Sequence, residues 1–265
     1  MNRALWRHLW RRHALASALC AILPVLIGAV MGIVWPEYRL QVKAMGGLVK
    51  FVQSLLRSDL LAPDSAAFFF QIPFAHPVTM LALILSVALP TLALPAGARG
   101  RGTLDLLLAT GLERRQLIVT TSLFTLPFAL LLGLAPLAGA WIGASITGAT
   151  AEIPFDAYAR VSFEAVLLGL FFSGLAQLLS VLAEDGATAA RWLAAIVLWS
   201  LFAEITGTGW PAAALLKWLT PFGYYEPAQV IAGVADYARD CAVLAGAAAV
   251  CFGAALVLES RRRSA

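Results

Sequence analysis

The residues best placed to do chemistry in this sequence are two acids at the edges of apolar runs, Glu164 and Glu204. A carboxylate inside a membrane-like apolar run is costly and commonly serves a transport pathway. Both acids also fit a structural role, since each lies near the end of its run. Arg160 stands four residues before Glu164 and can form a favourable helical pair with it. The sequence leaves a pathway role and an interfacial structural role open for each acid.

Other chemical patterns are absent from the sequence. A phosphate-binding loop needs a Gly-Lys pair, and each lysine follows Val or Leu: Lys43, Lys50 and Lys217. No H-E-x-x-H motif occurs, and the cysteines and histidines lack metal-ligand spacing. Ser173-Gly174 has no histidine in a later apolar run, which gives an intramembrane serine protease little support. The chain is therefore predicted not to be an enzyme and to hold no cofactor or metal.

Composition places the chain among integral membrane proteins. Hydrophobic residues make up 61% of its 265 residues, charged residues 13%, and the mean hydropathy is +0.83. A soluble domain needs about a quarter of its residues charged, and a disordered chain needs low hydrophobicity. Neither class fits, so the sequence predicts an all-α polytopic membrane protein.

Six apolar runs are long enough to cross a bilayer as helices, which takes about 20 residues each. They cover residues 14–35, 78–96, 117–142, 165–183, 187–205 and 241–258. None alternates with period two, which argues against a β-barrel. Only a few residues separate the fourth run from the fifth, so these two should form an antiparallel hairpin. All six belong to one transmembrane domain over residues 1–265.

Basic residues are distributed unequally between the two ends of these spans. Twelve of the 19 lie at the end that includes both termini: Arg3, Arg7, Arg11, Arg12, Arg99, Arg101, Arg114, Arg115, Arg191, Arg261, Arg262 and Arg263. The positive-inside rule makes that end cytoplasmic. We therefore expect an integral membrane protein with both termini in the cytoplasm and with Trp35 near the outer interface.

Residues 1–13 predict an interfacial helix. Cations repeat on one face, and apolar and aromatic side chains form the other: Arg3, Arg7 and Arg11 against Leu5, Trp6, Leu9 and Trp10. This pattern is typical of a helix lying in the headgroup layer. A basic flank that only sets topology explains the same arginines. A cleaved signal peptide has little support, because the following apolar run is too long and no A-x-A site follows it.

The segment between the second and third spans predicts a short helix held between two turns. Gly100 and Gly102 permit a sharp turn, and Thr103 is suited to cap the helix. Asp105 lies in the first turn, where a negative charge complements the helix dipole. Gly111 suits a left-handed end to the helix.

This predicted helix is apolar on most sides, through Leu104, Leu106, Leu107 and Leu108. Such a surface does not remain exposed to water. The helix therefore either docks on a soluble partner or packs beneath its own spans. Arg114 and Arg115 begin the third span, where we expect them to lie at the headgroups.

Two stretches on the other side predict short helices. Pro221 and Gly223 break residues 206–240 into pieces of about ten residues, too short to cross. We expect a re-entrant pair of helices in the outer leaflet with its turn at these two residues. Between the first two spans, a helical period predicts an amphipathic surface helix through Leu48, Phe51, Val52, Leu55 and Leu56.

The run from Gly102 to Thr110, GTLDLLLAT, followed by Arg114-Arg115, resembles the signature of type-two ATP-binding-cassette (ABC) exporter permeases. Two further motifs look like that family: His76-Pro77 before the second span, and Leu219-Thr220-Pro221-Phe222 before the last. The resemblance covers nearly the whole chain, including the basic first helix, the six spans and the outer helical pair.

This resemblance implies a permease subunit that forms a translocation pathway as a homodimer in the lipid bilayer. A separate ABC ATPase subunit would bind and hydrolyse ATP, and no nucleic acid would be involved. The short helix would be the coupling helix that docks on the ATPase, with the coupling set Thr103, Leu104, Asp105, Leu106, Leu107, Leu108, Arg114 and Arg115. A haem-exporter membrane component carries a similar run and is a related alternative.

Two other classes of protein stay open on sequence grounds. An ion-gradient-driven secondary transporter would show charged residues in mid-span and internal repeats, and neither is evident. A non-transporting membrane assembly factor would function without an ATPase chain.

Overall fold

The computed structural model describes residues 3–42, 46–47 and 60–262, and it is built from helices. Helix accounts for 86% of the structure, and these residues include no strand. Within them, six helices are long and apolar enough to cross a membrane. The all-α class and the presence of six helices able to span a membrane are therefore confirmed. The amphipathic helix predicted through Leu48, Phe51, Val52, Leu55 and Leu56 lies outside the described residues.

The six spans occur in the predicted order and mostly extend beyond the predicted bounds. The α-helices are α1 (Arg3–Gln41), α2 (Ala66–Ala75), α3 (Pro77–Ala93), α4 (Ala96–Gly100), α5 (Leu104–Ala109), α6 (Arg114–Thr147), α7 (Phe155–Leu182), α8 (Gly186–Gly209), α9 (Ala214–Lys217), α10 (Pro227–Ala232) and α11 (Tyr237–Arg261). The candidate spans are α1, α2 with α3, α6, α7, α8 and α11. The hairpin predicted between the fourth and fifth spans corresponds to α7 and α8.

The N-terminal segment is the beginning of α1 and not a separate helix. α1 runs unbroken for 39 residues, on the order of 60 Å, about twice the thickness of the hydrocarbon layer. Leu5 and Leu9 are buried, and the ring of Trp6 meets that of Phe124 edge-on with centroids 5.2 Å apart. The first turns of α1 therefore pack against α6 as a continuation of the span.

Small residues bring α1 and α6 into close contact. A Cβ atom added to Gly28 would lie 2.5 Å from the carbonyl oxygen of Pro136, and one added to Gly143 would lie 2.2 Å from that of Ala29. Glycines four residues apart permit such approaches between membrane helices: Gly28 and Gly32 on α1, Gly139 and Gly143 on α6. This seam holds the first and third spans together.

Substituting Gly143 with alanine should destabilise the bundle, because the new methyl group would collide with the backbone of α1. We expect a cost of about 1–3 kcal/mol, measured as a lower midpoint of thermal unfolding in detergent. Gly253→Ala on α11 is the matched control, since a Cβ there meets nothing within 4 Å. Alanine is the better helix former, so the control should be neutral or slightly stabilising. Equal effects at both sites would contradict the close seam.

The first part of the second candidate span, α2, is a buried helix. Four phenylalanines of α2 are almost fully buried: Phe68, Phe69, Phe70 and Phe74. His76 separates α2 from α3, and its Nδ1 accepts a hydrogen bond from the backbone N–H of Val78 at 3.2 Å. The His76-Pro77 pair therefore ends one helix and begins the next.

The side chain of Trp35 lies inside the protein, and its predicted depth near the outer interface stays a prediction. Its side chain is 1% exposed and packs against Phe69 and Phe70 of α2. Its indole N–H donates to the carboxylate of Glu152 at 2.9 Å, and the same carboxylate pairs with Arg39 at 3.1 Å. These contacts fix the far end of α1 to the connection between α6 and α7.

The chain between α8 and α11 forms only short helices within the described residues. A 3-10 turn over Pro221–Tyr224 lies between α9 and α10, and none of these pieces is a candidate span. Pro221 and Gly223 therefore mark a turn, as the sequence predicts. Gly223 is needed for close approach, because a Cβ there would lie 2.2 Å from the carbonyl oxygen of Lys217.

Candidate functional site

The short helix α5 lies at the arginine-rich end of the bundle, which we define as the end that holds the first turns of α1, helix α5 and the last turn of α11. Left-handed glycines bound it, Gly102 at φ +65° and Gly111 at φ +82°. Both conformations favour glycine over residues that carry a Cβ. Thr103 occupies the N-cap position without capping, because its hydroxyl donates instead to the carbonyl of Ala98 at 3.2 Å.

The four leucines of this helix divide between the bundle and the surface. Leu104 is 5% exposed and packs into the core, and Leu107 and Leu108 are half-buried. Leu106 is 69% exposed, next to the exposed first-turn acid Asp105. Packing beneath the spans therefore accounts for one side of the helix and leaves an apolar contact point on the other.

Helix α4, just before the site, is tied to the end of α7. The backbone N–H of Ala96 donates to the hydroxyl of Ser180 at 3.0 Å, and the side-chain amide of Gln177 donates to the carbonyl of Leu94 at 3.2 Å. The guanidinium of Arg99 donates to the carbonyl of Ala183. α4 therefore moves with the hairpin of α7 and α8.

A buried carboxylate, that of Glu259 in the last turn of α11, forms ion pairs with arginines around the site. Its side chain is 1% exposed and pairs with Arg114 at 2.8 Å and with Arg99 at 3.4 Å. Arg262 lies 4.0 Å away. Burial lowers the pKa of Arg99, the charge of Arg262 lowers it further, and Glu259 opposes both. The cluster links α4, α6 and α11.

This cluster adds two residues that sequence reasoning missed. Arg114 pairs with Glu259, and its predicted depth at the headgroups stays a prediction. Arg115 is exposed, which fits the expected surface position. Glu259 and Arg99 were not predicted as site residues. The available signal was an acid directly before a basic tail, E-S-R-R-R, at the end of an apolar span.

Glu164 lies in α7, well away from α5, and is fully buried. Both of its carboxylate oxygens lack a hydrogen-bond partner among the described residues. The expected pair with Arg160 is wrong, since that guanidinium lies over the ring of Tyr237, 5.9 Å from its centroid. Burial and the nearby Glu164 carboxylate raise the pKa of Tyr225. Of the two predicted acids, Glu164 is the one whose burial is not accounted for by a described hydrogen bond.

Glu204 is hydrogen-bonded at the turn between α8 and α10. Its carboxylate accepts a hydrogen bond from the hydroxyl of Thr220 at 3.1 Å. The same hydroxyl oxygen accepts from the backbone N–H of Gly223 at 3.3 Å. Glu204 therefore joins the end of α8 to the turn at Pro221 and Gly223.

The structure thus separates the predicted site residues into two ends of the bundle. The coupling set lies together at the arginine-rich end, and Glu164, Glu204, Pro221 and Gly223 lie toward the other. Among the residues that the structure describes, no three His, Cys, Asp or Glu side chains are grouped to hold a metal. The chain matches no protein-family model and no curated protein. Its function is therefore inferred from its own residues and geometry.

Proposed function

We propose that this chain is the membrane-spanning permease subunit of an ABC exporter, powered by a separate ATPase subunit. The observation that carries the proposal is Leu106, an exposed leucine on a short helix that two left-handed glycines hold at the arginine-rich end. A leucine placed there gains about 1.5–3 kcal/mol when a partner covers it. Asp105 and Arg115 are exposed nearby and would set the register of the partner by charge.

The connections of α5 to the helices before and after it suit it to transmit movement. α4 precedes it and is bonded to the end of α7, whereas α6 follows it and is paired through Arg114 with α11. A displacement of α5 by a partner would therefore reach three spans at once. Hydrogen-bond and ion-pair networks of this kind can carry energetic coupling between ATP hydrolysis and the pathway.

The proposed orientation places the arginine-rich end in the cytoplasm of a bacterial cell, with the chain in the inner membrane. The first turns of α1 would then lie in the inner headgroup layer, and the short helices around Pro221 would dip into the outer leaflet. Two copies of the chain would form the pathway as a homodimer. ATP would be bound and hydrolysed only on the partner subunit, and the permease itself would carry no catalytic group or cofactor.

A second candidate function, an ion-gradient-driven transporter, is favoured by Glu164 alone. A buried acid without a described partner is the kind of group that carries ions or protons in such proteins. The two candidates differ in their energy source, so transport that persists without any ATPase chain would favour the second. A non-transporting assembly factor would likewise need no ATPase but would move no substrate.

Purification from the native membrane tests the proposal. The tagged chain, extracted in mild detergent, should bring with it a second chain that contains a Gly-Lys phosphate-binding loop, and the complex should hydrolyse ATP. The permease alone should neither bind nor hydrolyse ATP, because its lysines follow Val or Leu. Saturable binding of an ATP analogue to the isolated permease, or an ATPase-free preparation that still transports, would contradict it.

A further inference from the structure

A cleft of about 470 Å³ opens between the first turns of α1 and helix α5. Four of its lining residues carry a guanidinium or an imidazole: His8, Arg12, His13 and Arg101. Among the described residues, no Asp or Glu belongs to the lining. The remaining walls are largely apolar and include Leu107 of α5. The cleft therefore combines two arginine cations, Arg12 and Arg101, with an apolar interior, and this combination fits an anionic amphiphile.

The cleft lies at the depth expected for lipid headgroups. Its α1 residues directly precede the long apolar run that begins at Ala14, and its α3 side includes Ala93, the last residue of that span. Ser17 donates to the carbonyl of Ser86 at 3.4 Å, which fixes the antiparallel register of the two spans just beyond the cleft. Nε2 of His13, beside the cleft, is buried and has no hydrogen-bond partner among the described residues.

An exposed apolar track on α1 continues from this cleft. His8 and Arg12 share one helical face with four exposed apolar side chains at intervals of three and four residues: Leu15, Leu19, Ile22 and Leu26. A small soluble anion would use the two arginines and leave this track empty. A diacyl lipid would use both, with its phosphate at the arginines and its chains along α1.

We infer that this cleft binds the phosphate headgroup of an anionic diacyl phospholipid. Basic pockets between membrane helices on the cytoplasmic side are suited to such headgroups. Because the cleft is walled by α1 on one side and by Leu107 of α5 on the other, the lipid bridges the first span and the short helix. The inference depends on the membrane depth of the cleft and not on the proposed ATPase partner.

Lipid binding to the full-length chain tests this inference. The purified protein, stripped of lipid in detergent, is titrated with phosphatidylglycerol, and bound lipid is counted by native mass spectrometry. Each arginine near a membrane surface contributes about fivefold in affinity, so Arg12→Gln with Arg101→Gln should weaken binding roughly 25-fold. The control, Arg7→Gln with Arg11→Gln, removes the same charge from exposed positions outside the cleft and should change affinity by less than about threefold.

Three outcomes would overturn the inference. Equal weakening in both double variants would mean that diffuse surface charge attracts the lipid. Displacement of the lipid by equimolar inorganic phosphate would mean that the cleft is a site for a free anion. Ala93→Trp fills the cleft without changing charge, so unaltered lipid binding in that variant would place the lipid elsewhere. Thermal unfolding of each variant confirms that it is folded, and the arginine variants decide the question if Ala93→Trp does not fold.

Discussion

Replacing Leu106 with aspartate should leave the chain folded and remove its ATPase subunit. The side chain is 69% exposed, so the bundle loses no core contact when it changes. In the proposed dock, by contrast, the substitution forfeits the burial of a leucine and places an unpaired charge in an apolar contact. The combined loss is about 3 kcal/mol or more, which weakens association at least a hundredfold. This loss is measured by how much ATPase co-purifies with the permease and by how fast the complex hydrolyses ATP.

Two further aspartate substitutions separate docking from folding. Leu104→Asp places a charge in the core, because Leu104 is 5% exposed, and it should destabilise the permease itself. Leu40→Asp makes the same change at an exposed position near the opposite end of α1 and should affect neither property. If Leu106→Asp keeps full partner binding and full ATP-driven transport, α5 is not the coupling element.

Removing the carboxylate of Glu259 should be among the most destabilising single changes in the chain. Glu259→Ala leaves Arg99 and Arg114 without their shared counter-charge in a site where the acid is 1% exposed. Breaking a buried ion pair from one side costs about 3–5 kcal/mol. The expected result is a large fall in the thermal unfolding midpoint of the detergent-solubilised protein. Glu113→Ala, which removes an exposed acid from the same end, should cost less than about 1 kcal/mol.

A combined substitution tests whether the cluster transmits force as well as stabilising the fold. Changing Glu259 to leucine, together with Arg99 and Arg114 to methionine, removes all three charges and places an apolar side chain at each position. Such replacements commonly restore or exceed the original stability. We expect the unfolding midpoint to recover while ATPase-coupled transport stays low. Full recovery of both properties would assign the cluster to stability alone.

The local features at the arginine-rich end were predictable because each depends on a few neighbouring residues. The turns at Gly102 and Gly111 follow from the conformational freedom of glycine, and the structure places both in the left-handed region. The position of Thr103 at the helix start was also predictable. Its hydrogen bond was not, since the hydroxyl donates to Ala98 in the preceding helix instead of capping its own.

The partners of buried charges could not be predicted from spacing. Glu164 and Arg160 stand one helical turn apart, yet Arg160 instead lies over the ring of Tyr237 on another helix. Arg114 and Glu259 are 145 positions apart and meet at 2.8 Å. Which charges come together depends on how the helices pack, and the linear order carries little information about that.

The sequence by itself determined the class of the protein, its six spans and the glycine-bounded helix between the second and third of them. Length and hydropathy of a run decide whether a helix can cross a bilayer, and both are local properties. The tertiary structure decided which side of each helix faces protein. It buried Trp35 and Glu259 and joined α1 to α6 through glycines. The reason is physical: lipid chains and protein interiors are similarly apolar, so hydrophobicity does not distinguish a surface that faces lipid from one that faces a neighbouring helix.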